Sequence, residues 1–269
     1  MRKIKLPKIR LAFSKRQNFV LVTIILTIGL LSQHFLGTRF SYLGAGFLGV
    51  VAFFLSWYSL REEMMGVKHL TLLTLPTLFT LAVSYFYFLV PVRFITRIPF
   101  ALFFALGFYA ILLTENIFNV AAGRTIQLIR AAQAVGFYLT LITVFLLYDI
   151  TFSLHLPFFV NFIFIFVISF LLFLPSLWHI TLEERIGKSI WYFSLLLSLV
   201  LAEFAMAFSF WPILALTEAI FLTSVFYTLL GISQYHLAEK LFRRATLEFL
   251  LVAGVIFVLT LFTTSWVNF

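Results

Sequence analysis

The chain of 269 residues is 63% hydrophobic, carries only 11% charged side chains and includes 37 phenylalanines. A soluble globule needs about a quarter of its residues charged, so this composition excludes a soluble enzyme, a secreted domain and a disordered chain and leaves a polytopic membrane protein. The formal charge of +9 would suggest nucleic acid in a soluble protein, and the absence of cysteine excludes disulfides, thiolate metal sites and cysteine nucleophiles.

Residues 1–17 alternate Lys3, Lys5, Lys8 and Arg10 with Ile4, Leu6, Ile9 and Leu11, a basic tail expected to lie in the cytoplasm against anionic lipid headgroups. Nine apolar stretches follow, each near the roughly 20 residues that cross a hydrocarbon core. They are 18–36, 40–60, 69–90, 98–115, 134–152, 157–178, 189–209, 212–232 and 246–266. The first is too long for a signal-peptide core and has no clear small-residue cleavage site, so it is read as a retained anchor. Pro91, Pro99, Pro157 and Pro212 fall near span ends, while Pro76 and Pro175 fall inside spans. The expected fold is an all-α, polytopic transmembrane bundle, with residues 18–269 forming a single transmembrane domain.

With the N-terminus in the cytoplasm, sixteen of the nineteen Lys and Arg fall on the cytoplasmic side, and only Arg39, Arg93 and Arg97 fall outside. This asymmetry predicts an N-in, C-out topology and turns the basic excess into a topology signal, with no nucleic-acid partner expected. The expected location is the bacterial cytoplasmic membrane.

Residues 115–133, ENIFNVAAGRTIQLIRAAQ, separate spans four and five. On a helical wheel Glu115, Asn116, Asn119, Arg124, Gln127, Arg130 and Gln133 share one half and apolar residues fill the other, which predicts an amphipathic connector. Its plain reading is an interfacial helix with a wet polar side. Its functional reading is an anionic-group site, with Arg124 and Arg130 as clamps, Gln127 and Asn119 as donors and Glu115 as internal counter-ion. Anionic lipids of the cytoplasmic leaflet are the expected partners, and other membrane subunits are also compatible with it.

Glu203 and Glu218 flank the tight turn at Phe210–Trp211–Pro212. At about 1.5 Å per residue both lie roughly 11 Å inward from it, at matching depth on antiparallel helices. Ala207 and Ala215 are expected to let those helices approach. Carboxylates in lipid must be protonated, paired or wet, so the pair is a candidate ion- or substrate-binding site. The structural alternative pairs them with Arg93 or Arg97.

Other features carry less. Glu183–Lys188 resembles the EExxxR signature of membrane-embedded CAAX-type proteases, but Lys188 stands where that signature has Arg and the later His motifs are missing. The resemblance carries no activity over, and the segment reads as a turn starting a helix with Glu184 and Lys188 at i, i+4. His34, His69, His155, His179 and His236 lie at span ends, where interfacial anchoring is expected. Trp57, Tyr58, Trp178, Trp191, Tyr192, Trp211 and Trp266 form an expected aromatic belt. Leu113–Phe118 and Leu216–Phe221 match at five of six positions, an echo read as chance in so apolar a chain. No nucleotide or metal motif and no cofactor site is read.

Three functions follow. The first is a small transporter using Glu203 and Glu218. The second is a non-catalytic subunit of a membrane complex. The third is a membrane enzyme acting on lipid-linked substrates at the cytoplasmic face through Glu115, Arg124 and Arg130, for which no nucleophile or base constellation is found.

Overall fold

A computed structural model describes residues 14–33, 37–64, 66–89, 94–121, 127–240 and 242–264, with backbone alone at 37–41, 63 and 94–96. Among these residues the chain forms nine helices and no strand. They are α1 (Lys15–Ser32), α2 (Gly37–Leu60), α3 (Lys68–Leu89), α4 (Phe94–Ala121), α5 (Ile129–Ser153), α6 (Phe158–Thr181), α7 (Lys188–Phe208), α8 (Ala215–Leu237) and α9 (Arg243–Thr263). Each is long and apolar enough to cross a membrane. The chain is a multi-pass, integral membrane protein. Helices are the open-ended solution in lipid because every backbone group is satisfied within its own segment.

Local chemistry sets the helix ends. Ser14 caps α1 in a reciprocal capping box with Gln17, so this helix starts before residue 18. Pro212 cannot continue a hydrogen-bonded turn, and α8 starts only at Ala215, after the extended Leu214. Pro99 lies inside α4 rather than at its edge. The largest difference concerns 115–133, which is not one connector helix. Glu115, Asn116 and Asn119 belong to the last turns of α4, and Arg130 and Gln133 to the first turns of α5. Arg124 lies outside the described residues. Leu112 and Phe118 are fully buried, so the apolar side of the supposed connector is continuous with the face that α4 packs into the bundle.

Helices α3 and α5 are the most enclosed, with α2, α4, α6 and α8 packed around them. Helix α9 packs on α8 and is otherwise almost wholly on the bundle surface. Phenylalanine fills the interior. Phe173 and Phe226 stack at 4.2 Å, and Phe104 stacks between Phe79 and Phe108. Trp178 is buried completely, against the expected interfacial place. Its indole N–H donates to the Glu183 carbonyl at 2.9 Å, just past the left-handed Leu182 that ends α6. Residues 183–187 are therefore a loop tied to that cap. Lys188 opens α7, and Glu184 and Lys188 do not share a helix.

One end of the bundle, where α1, α3, α5, α7 and α9 begin, is fastened by polar contacts between helix termini. Lys15 pairs with Glu62 at 2.8 Å, and the Lys68 ammonium donates to the Asn119 carbonyl at 2.8 Å. The Asn119 amide donates to the Leu60 carbonyl at 2.9 Å. Terminal carbonyls have no intrahelical partner, so side-chain donors from neighbouring helices complete them. We call this the basic end.

Candidate functional site

At the basic end α4 brings Glu115 against α6. Glu115 has no exposed surface, and its Oε2 lies 3.4 Å from Nε2 of His179, itself 6% exposed. The contact is an ion-pair approach without hydrogen-bond geometry. The His179 ring is held on its face by Phe118, stacked at 3.9 Å, and approached on its edge by Trp178. A carboxylate sealed in an apolar interior requires a partner, and here His179 stands in that place, while Arg130 lines a separate cleft. The interfacial anchoring expected of His179 is thereby corrected: tertiary contact draws it inward.

His179 is tied from outside as well. The Gln133 amide donates to its carbonyl at 3.0 Å, and the Gln234 amide donates to the Ser176 carbonyl at 3.0 Å. These two bonds clamp α5 and α8 to the last turn of α6. Beside them lies a void of about 10 Å³, lined by His179, Phe118, Gln133 and Gln234, close to the size of one water.

The same two glutamines line a larger cleft, about 440 Å³, near the basic end between α5, α8 and α9. Arg130 and Lys240 supply its cations, and Tyr138, Tyr227 and Tyr235 its aromatic walls. Lys240 is placed by the end of α8. Its N–H bonds to the Tyr235 carbonyl at 2.9 Å and that of Glu239 to the His236 carbonyl at 3.0 Å, with Glu239 left-handed at φ 55°. This is the double hydrogen bond of a Schellman cap, which turns the chain so that Lys240 joins the cleft. Phe249 of α9 closes the far wall, packed on Tyr227 at 5.1 Å and Tyr235 at 5.6 Å. Two cations, two amides and three phenol rings around one concavity can hold an anionic group and an apolar body together.

Of the residues expected to bind an anionic group, Arg130 lines this cleft. Glu115 lies behind it, Asn119 serves the α2–α3–α4 junction and Gln127 is exposed ahead of α5. Lys240, Gln234 and the tyrosines were missed, because Lys240 reads as one more topogenic charge and Gln234 as a lone amide. Glu203 and Glu218 are not turned alike. Glu203 is exposed, while Ala202 and Ala205 form the buried face of α7 in place of Ala207. Glu218 is buried in the first turn of α8, where the positive end of the helix dipole favours a carboxylate. Asp149 of α5 is a further buried carboxylate, which the sequence reading passed over. Among the described residues no cluster of three or more His, Asp or Glu could hold a metal ion.

The match that bears on identity covers residues 21–263, nearly the whole bundle, and is to DUF5656, a family of proteins of unknown function. The chain belongs to the DUF5656 family. No curated protein and no solved structure matches it.

Proposed function

We propose that the chain is a ligand-binding membrane protein whose working site is the cleft at the basic end, and that its ligand carries an anionic group held by Arg130 and Lys240. The observation that carries this reading is the convergence of these two cations, one from α5 and one from the turn after α8, on one concavity that also holds Gln133 and Gln234. Under the charge-derived topology the cleft faces the cytoplasm. Transport through Glu203 and Glu218 has less support, since Glu203 is exposed on the bundle surface and neither carboxylate lines this cleft.

The test is titration of the purified protein with glycerol phosphate. A charge-assisted hydrogen bond contributes about 1.5–3 kcal/mol, so replacing both cations in Arg130→Gln/Lys240→Gln should weaken binding at least tenfold. Binding should also weaken with added salt, because the cleft is open and its charges are screened. Equal affinity for the wild-type and double-variant proteins would overturn the reading.

A further inference from the structure

The cleft does not end at its polar mouth. Tyr227 lines both the cleft and a second cavity of about 300 Å³, which continues between α5, α8 and α9 toward the other end of the bundle. That continuation is mostly apolar, with Phe145 of α5, Ile220 of α8 and Val252 and Ile256 of α9, and its only polar side-chain groups are the hydroxyls of Thr223, Ser224 and Tyr227. Phe145 stands about 22 Å from Arg130 along α5, at about 1.5 Å per residue. One leaflet of a hydrocarbon core is about 15 Å deep, half of the roughly 30 Å total. The groove is thus cationic and aromatic at one end, apolar beyond, and longer than a single leaflet.

Helix α9 makes it a groove. Phe249 fits against Gly231, where an added Cβ would run into the ring, and the Thr228 hydroxyl donates to the Phe249 carbonyl at 3.0 Å. Both contacts anchor α9 to α8 near its own start, and α5 supplies a wall of both concavities.

We infer that the ligand is a membrane glycerophospholipid with an anionic headgroup, its phosphate at Arg130 and Lys240 and one acyl chain laid along the α5–α8–α9 groove past Tyr227. The inference rests on the anion-binding reading above and adds the chain to it. Lipid touches every membrane-facing surface, so the distinguishing property is selectivity: the anionic lipid stays bound when bulk lipid is removed. Charge complementarity sets the occupant, because a zwitterionic headgroup brings its own cation toward Arg130 and Lys240.

The experiment is native mass spectrometry of the full chain in detergent, with phosphatidylglycerol and phosphatidylcholine of matched chains, run beside titration with glycerol phosphate as the chainless anion. The expected result is at least tenfold preferential retention of phosphatidylglycerol. Ile256→Trp, which fills the groove, should lower lipid retention at least fivefold and leave glycerol phosphate binding unchanged. Val252→Phe, a smaller filling, guards against misfolding and should act in the same direction, with the melting temperature read in parallel. If both variants fold and retain phosphatidylglycerol as the wild type does, the acyl-chain proposal is overturned while the anion reading stands. If the wild type holds neither phosphatidylglycerol nor glycerol phosphate, both fall.

Discussion

At Glu115 a carboxylate with no exposed surface meets an ionisable partner, His179, at 3.4 Å. Each is the other's polar neighbour in an apolar interior, so removing either leaves a buried polar group alone. Breaking such a pair costs about 3–5 kcal/mol, which is a large part of a domain's stability. Glu115→Ala and His179→Ala should each lower the melting temperature in detergent by several degrees, and the double variant should lose less than the sum of the two. Additive losses would mean the two groups do not interact. The carboxylate was legible in the sequence, as a Glu at the edge of a span. Its partner was not, because His179 lies on another helix and no spacing rule joins residues 64 apart in the chain.

At the scale of elements, the contact between α8 and α9 decides whether the groove has a wall. Gly231 sits face to face with the Phe249 ring, so even a methyl group there pushes α9 away. Gly254, on α9 itself, meets nothing within 4 Å. Gly231→Ala should therefore loosen α9, read as faster proteolysis of the segment around residue 242, while Gly254→Ala should leave the cleavage rate unchanged. Equal rates in the two variants would show that α9 is not held at this point. The nine helices were legible, with ends displaced by up to six residues, because length and apolarity are local properties. Residues 115–133 misled for a related reason. A helix that ends and another that begins, both amphipathic near their termini, give on a wheel the same polar half as one continuous helix.

For the whole molecule, the prediction drawn from the charge asymmetry is that the basic end faces the cytoplasm. The chain contains no cysteine, so single cysteines report position without background. In intact cells, a membrane-impermeant maleimide should label Phe210→Cys, in the α7–α8 turn, and should label Glu184→Cys, in the α6–α7 loop, only after permeabilisation. The reverse pattern would invert the proposed topology and place the cleft outside.

By itself the sequence determined the environment, the number of spans and the charge asymmetry, because each is a sum over neighbouring residues: apolar length, helix period, Lys and Arg counts. It also identified Arg130 as a candidate cation and Glu115 as a candidate counter-ion. Only the tertiary structure decided which polar residues share a site. It turned Glu203 outward and Glu218 inward, matched Glu115 with His179, and brought Arg130 of α5 to the same cleft as Lys240 beyond α8. In a chain whose helices are all similarly apolar, many helix arrangements bury comparable surface. The choice among them rests on a few non-local fits, such as Phe249 against Gly231 and two glutamine amides on the carbonyls of α6, and none of these leaves a periodic trace along the chain.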